Sequence, residues 1–269
     1  MTDTAGDVSV LCVVGDVQGV TQLHDVVYIV CYGSSTILRF NATTHQRLTD
    51  IVVKGLRDPN DIVACERTSQ VYVADWKGIW RVSSDGEDIK RWLPKSPSDR
   101  LKPRSLSVTS TRLLVTSLYT RPLMQFDAVG DELRRVQLPD DMTPRPRHAV
   151  ESPTGTFIVS HYNKQLLQRQ VSEVNTVGEV LRQFSSSHLL SLGYTPHVAV
   201  DSHGNIFVVD FDNRRILLLD AQFTLRRVVV DQHQLNKPPL RLCYKEQSGQ
   251  LLVGFDVDGG VWVFDLFCL

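Results

Sequence analysis

Apolar residues along this chain alternate with polar ones or gather in short blocks, and no stretch keeps the 3.6-residue period of an amphipathic helix. The blocks recur. Units that open on proline begin at Pro59 (PNDIVACERTSQVYVAD), Pro103 (PRSLSVTSTRLLVTS), Pro146 (PRHAVESPTGTFIVSH), Pro196 (PHVAVDSHGNIFVVD) and Pro239 (PLRLCYKEQSGQLLVGF), spaced by roughly 43 to 50 residues. A degraded copy without proline, VQGVTQLHDVVYIVCY, precedes them and makes six. A period in the forties with about four strands per unit marks a propeller-type array.

Each unit has the same inner order. A first run such as HVAVD meets a tight turn, here Ser202-His203-Gly204-Asn205, whose Gly and Asn tolerate positive φ. A second run, IFVVD, follows. Third runs line up as ILRF from Ile37, IWRV from Ile79, LMQF from Leu123, LLQR from Leu166, ILLL from Ile216 and VWVF from Val261. Fourth runs close five units, as in DIKRWL and LRRVVV, but the sixth has none, and Ser9 to Val14 at the other end is a strand with no local partner. The pattern predicts an all-β, six-bladed β-propeller whose ring is closed by the N-terminal strand completing the last blade. Residues 1–269 are expected to form a single domain without a hinge.

In the fifth unit the text PHVAVDSHGNIFVVDFDNRRI resembles an NHL repeat, with Pro, alternating Val-Ala-Val-Asp, Gly-Asn, a β run ending in Asp, and an Asn213-Arg214-Arg215-Ile216 tail. Val73-Ala74-Asp75 keeps the acid in the second unit, whereas His161 replaces it in the fourth; the other units keep only the strand pattern. The resemblance implies the propeller fold. NHL propellers serve as modules of tripartite-motif ubiquitin ligases, as RNA-binding platforms, as scaffolds and in a zinc-dependent amidating lyase, and fold alone does not choose among these. No RING finger or B-box accompanies the repeats here, so ligase chemistry is not expected.

Composition narrows the picture. Apolar residues make up 42% and charged residues 22%, enough for a packed core, and the net charge of −1 confines any nucleic-acid role to a local patch. The five cysteines (Cys12, Cys31, Cys65, Cys243 and Cys268) are scattered without a Cys-x-x-Cys pair, as free thiols in a reducing compartment would be. The N-terminal run has no basic leader and no apolar stretch is long enough to span a bilayer. These features lead to the expectation of a cytoplasmic, monomeric domain with no membrane association.

In a propeller, the loop entering the first strand and the loop joining the second and third strands share one face, here termed the top. The residues after each proline place Asn60, Arg104, Arg147, His197 and Leu240, with Gln18, near the mouth of the central channel; Asp61, Ser105, His148, Val198 and Arg241 follow one position on. Arg121, Lys164, Arg214 and Arg215 sit in the other top loops, giving units three to five a basic sector to which Lys102 and Arg145 also belong. One aromatic follows each second strand: Tyr32, Trp76, Tyr119, Tyr162, Phe211 and Phe255. Packing between blades accounts for such rings, and display on the top face is the alternative. Residues 185–195 form an insertion bearing Leu189, Leu190, Leu192 and Tyr194. The predicted function is a non-enzymatic platform that binds a protein or peptide partner. Its binding set is Arg104, Arg121, Arg147, Lys164, His197, Arg214, Arg215, Tyr119, Tyr162 and Phe211. Single-stranded RNA on the basic sector is the alternative partner.

For chemistry, His148 and His197 come from adjacent units, with Asp61 across from them. They sit at different phases of their units and no third histidine converges on them, so neither a metal nor another cofactor is expected, and no catalytic motif is present. A metal-dependent lyase or lactonase of the propeller type is the remaining alternative.

Overall fold

The computed structural model describes residues 8–93, 101–142, 146–185, 192–194, 197–256 and 260–266. They form six four-stranded antiparallel sheets arranged as the blades of a β-propeller, and among them the only helical turn is a short 3-10 segment at Glu66–Thr68. Blade 1 runs outward from the channel through Val17–Leu23, Val26–Cys31, Thr36–Asn41 and Ile51–Val52. The innermost strands of blades 2 to 6 are Asp61–Cys65, Pro103–Thr109, His148–Glu151, Val198–Val200 and Pro239–Lys245.

The ring closes as the strand count requires. Ser9–Leu11 pairs antiparallel with Val261–Asp265 and becomes the outer strand of blade 6. Leu11 is 1% exposed and packs with Val13, Val17, Leu252 and Val261, so the closing strand supplies both a ladder and part of the seam between the last blade and the first. Six apolar clusters fill the six seams, one between each pair of neighbouring blades. Each is built from alternate residues of facing sheets, which is why strands buried on both faces read as near-continuous apolar runs.

Innermost strands of neighbouring blades do not pair as sheets, so side chains tie them together. The Ala64 amide donates to Thr21 Oγ1 at 3.1 Å, and Asn60 Nδ2 donates to the Pro103 carbonyl at 3.0 Å. Blade 1 approaches blade 2 so closely at Gly19 that a Cβ there would stand 2.6 Å from the Ile62 nitrogen. Buried Asp75 ends the second strand of blade 2 and accepts from the Lys77 amide at 2.7 Å and Trp80 Nε1 at 2.8 Å. Asp210 does the same in blade 5 with the Gly193 amide and Asn213 Nδ2, both at 2.9 Å. These acids hold loops, as their place in the repeat suggests.

Candidate functional site

The channel is divided at its waist. Above lies a funnel of about 360 Å³ lined by Gln18, Asn60, Arg104, Leu118, Tyr194, Phe211, Leu240, Arg241 and Asp256. Below lies a cavity of about 420 Å³ whose lining includes Gln22, Ser107, His148 and His197. Arg241 stands between: its Nε donates to the Gln18 carbonyl at 2.6 Å, Nη2 to the Asn60 carbonyl at 3.1 Å, and Nη1 to its neighbour Leu240 at 3.1 Å.

At the waist, Asp61, His148 and His197 are buried together, with one ligand-type atom from each lying within 4.8 Å of the others. The two imidazoles stack with centroids 3.7 Å apart. Adjacent blades bring them face to face, although one ring precedes its strand and the other begins it. Leu106 orients two of the three groups. Its amide donates to Asp61 Oδ2 at 2.9 Å and its carbonyl meets His148 Nε2 at 3.2 Å, while the Ile62 amide takes Asp61 Oδ1 at 2.9 Å. A carbonyl partner makes Nε2 the protonated nitrogen and leaves Nδ1 of His148 with its lone pair, approached only by the Val198 amide at 3.5 Å. His197 Nδ1 is buried without a partner, and so are Gln22 Oε1 and Ser107 Oγ in the same lower lining.

Burial governs the charge states. It pushes His148 down to about 3, with help from the Arg241 charge and against the hydrogen bond to Leu106. His197 is held well below its usual range by burial, by His148 and by Arg241. Burial raises Asp61 to about 6 against the pull of Arg241 and of the Leu106 and Ile62 amides. Both imidazoles are therefore neutral near neutral pH, the form that binds a metal. The different phases of the two histidines along their units do not keep them apart, because stacking across a blade seam cancels that offset and sets both beside Asp61.

The residues expected on the top face divide. Arg104 and Phe211 line the funnel, but His197 turns inward to the waist. Arg147 lies over the Tyr194 ring, 4.9 Å from its centroid. Arg215 is bound to Asp210 at 2.7 Å, and Arg121 is paired with Asp140. Lys164 is exposed, Arg214 is half-buried in a loop at positive φ, and Tyr162 lies under the Arg169 guanidinium at 4.8 Å. The ring of aromatics also splits. Phe255 is buried in a seam, whereas Tyr32, Trp76 and Tyr119 are 62%, 42% and 57% exposed. Leu192 packs into the seam between blades 4 and 5, while Leu189, Leu190 and Arg145 lie outside the described residues.

This ring is similar to solved enzyme structures. A gluconolactonase from Xanthomonas campestris matches with a TM-score of 0.74 at 12% identity, over 96% of this chain and 89% of that one. Kuenenia stuttgartiensis hydrazine synthase matches at 0.68 and 16%, over 93% and 83%, and a streptogramin B lyase at 0.68 and 9%, over 96% of both chains. No protein-family model matches the chain, and no curated protein matches it in sequence. At such identities the likeness establishes the six-bladed propeller and does not extend to the NHL repeat in particular.

The expectation of a non-enzymatic protein is corrected to this extent: solved structures with this fold include a gluconolactonase, a lyase and hydrazine synthase as well as the nidogen–laminin complex, so the propeller fold gives no ground for excluding an enzyme. The lack of a linear motif is not a lack of chemistry. A propeller assembles its channel from residues contributed singly by separate blades, so no linear motif need exist.

Among the described residues no helix is long and apolar enough to cross a membrane.

Proposed function

We propose that this chain is a metal-dependent propeller enzyme of the lactonase type, with its centre at Asp61, His148 and His197. The observation that carries the reading is the convergence of two neutral imidazoles and one carboxylate at the waist, with His197 Nδ1 left unpartnered beside a cavity. Two histidines and a carboxylate with an open position form a donor set of the catalytic kind, and the Leu106 carbonyl on His148 is the outer contact that fixes a ligating tautomer. Tetrahedral ligands at ~2.1 Å stand roughly 3.4 Å apart, a separation inside the 4.8 Å within which all three donor atoms lie.

A divalent ion held there would supply Lewis acidity toward an ester carbonyl and lower the pKa of a bound water. The chain's own groups do the rest. Asp61 is aimed by two backbone amides, and His148 by one carbonyl. The lower cavity admits a small reactant, and Gln22 Oε1 and Ser107 Oγ offer it hydrogen bonds that no protein group uses. The gluconolactonase likeness favours a cyclic ester over other acyl compounds.

The test is elemental analysis after Zn²⁺ or Co²⁺ loading and exhaustive dialysis, followed by pH-stat assays on a panel of small lactones. One retained ion per chain, lost in His197→Ala together with turnover, is expected. A chain that retains no ion and opens no lactone overturns the reading.

A further inference from the structure

The upper funnel holds a cation whose compensation is incomplete. Arg241 carries five N–H donors. Three are taken by the carbonyls of Gln18, Asn60 and Leu240, which leaves two. Among the described residues no carboxylate forms a direct ion pair with Arg241, although it sits half-buried in the lining of the funnel. Three carbonyl dipoles and the Coulombic pull of the buried Asp61 act on its charge without a direct ion pair, and its field extends into the space above. Arg104 adds a second guanidinium to the lining, and Asp256 is the opposing acid.

One part of the wall is apolar. Leu118, Leu240, Tyr194 and Phe211 line the same space, with the Tyr194 and Phe211 rings edge to face at 5.7 Å. Arg147 over the Tyr194 ring adds positive field behind that wall. A fork of N–H donors at the floor and an aromatic side wall suit one class of ligand: a planar anion attached to an apolar body. Inorganic phosphate would satisfy the donors and leave the wall unused, whereas a carboxylate takes a bidentate guanidinium in plane and brings its carbon skeleton against the rings.

We propose that the upper funnel is a binding site for a small organic carboxylate, its carboxylate on Arg241 and Arg104 and its apolar body against Tyr194, Phe211 and Leu240. This site is distinct from the centre below the waist and does not depend on a metal there.

Benzoate is the probe, titrated into the full chain by calorimetry and by ligand-observed NMR, with benzamide, acetate and inorganic phosphate beside it. Benzoate is expected to bind saturably, with benzamide weakened at least tenfold because it lacks the charge and acetate weakened because it lacks the body. Arg104→Gln should weaken benzoate severalfold, and Asp256→Asn should tighten it by removing the opposing acid. Thermal melts confirm that each variant is folded; should Arg104→Gln fail to fold, the benzoate–benzamide comparison on the natural chain decides by itself. His197→Ala exchanges one neutral side chain for another, disables the centre below and should leave benzoate affinity unchanged, which separates failure of this site from failure of the lactonase reading. Equal binding of benzoate and benzamide, weaker binding in Asp256→Asn, phosphate binding in preference to benzoate, or no saturable benzoate binding would each overturn the proposal.

Discussion

Arg241 on blade 6 reaches past blade 1 to the Asn60 carbonyl of blade 2, a 3.1 Å hydrogen bond that ties together blades which are not neighbours. The same side chain takes the Gln18 carbonyl of blade 1 on the way. Replacing it with Met keeps the stem and strands both carbonyls. An orphaned buried acceptor costs about 1–3 kcal/mol, partly offset here by removing an incompletely compensated cation. A net loss of about 2 kcal/mol is expected for Arg241→Met, read as a fall of several degrees in Tm. NMR titration of the imidazoles should also show His148 titrating higher, because the Arg241 charge is one cause of its depression. An unchanged melt would mean that the waist is held by the apolar seams alone.

Closure by the N-terminal strand makes a sharp contrast between adjacent residues. Leu11 is 1% exposed and faces the seam, while Val10 is 49% exposed on the opposite side of the strand. Leu11→Asp buries an unpaired charge in the seam and should cost more than about 3 kcal/mol. Val10→Asp should stay within roughly 0.5 kcal/mol of the natural chain. Deletion of residues 1–14 should resemble Leu11→Asp, since it exposes the edge of Val261–Asp265. Denaturant melts that rank the three otherwise would show that the closing strand is dispensable.

The contrast between fold and site in legibility has a physical origin. Strand period and proline spacing are local properties, and they were enough to number the blades and to leave Ser9–Leu11 as the spare strand that the structure pairs with Val261–Asp265. Part of the channel mouth was legible too: Asn60, Arg104 and Leu240, each following a proline, line the funnel together with Gln18, whereas Arg147 and His197 do not. What could not be read was the direction in which a side chain turns once there. His197 and His148 meet only because two blades are rotated against each other. Arg215 seemed to belong to a basic surface until Asp210, five residues earlier, proved to hold it at 2.7 Å. The exposure of Tyr32, Trp76 and Tyr119 depends on how far their loops rise above the seams, which repeat position does not encode.

Gly19 offers a test of how tightly the innermost strands are set. A Cβ there would meet the Ile62 nitrogen at 2.6 Å and Ile62 Cγ2 at 2.8 Å, and the first of these is backbone and cannot rotate away. Gly19→Ala therefore has to push blade 1 from blade 2, at a cost of about 1–3 kcal/mol. The Ile62 amide that would move is the one holding Asp61 Oδ1. Loss of stability should be accompanied by weakened metal retention at the waist. A folded Gly19→Ala chain with natural stability would show that the seam has room to give.

The waist sets a pH dependence with two opposing parts. His148, pushed down to about 3, and His197, well below its usual range, accept protons in the unfolded chain near 6.5 but resist them in the fold. Their contribution to stability is intact above pH 6.5 and is lost as pH falls toward about 3. Asp61, raised from 3.8 to about 6, runs the other way: its contribution is present below 3.8 and lost as pH rises through about 6. Two imidazoles outweigh one carboxyl, so the urea midpoint should fall on acidification from pH 6.5 to pH 4. His197→Phe keeps a ring on His148 and sacrifices no hydrogen bond of Nδ1. That variant should lose less stability than the natural chain over the same range, and an identical acid profile would exclude His197 as a contributor.

The same hydrogen-bond accounting limits binding of single-stranded RNA to blades 3 to 5. Arg215 is committed to Asp210 at 2.7 Å with 18% of its side chain exposed, and displacing that buried carboxylate would strip the loop it holds. Arg147 lies over Tyr194, and Arg121 is paired with Asp140. An exposed pair such as Arg121–Asp140 opens at little cost, but the phosphate that replaces Asp140 leaves an acid beside it. Of the described basic residues expected to contact RNA, Lys102, Arg104, Lys164 and Arg214 remain. Each phosphate contact on a single strand contributes about −0.7 to the log–log salt slope, so four give a slope near −3. Random single-stranded RNA should therefore bind weakly at low salt with a slope no steeper than about −3, and Arg215→Gln should leave that slope unchanged while lowering Tm. A steeper slope that flattens in Arg215→Gln would show RNA phosphates taking the place of Asp210, and would make the top face of blades 3 to 5 a nucleic-acid surface after all.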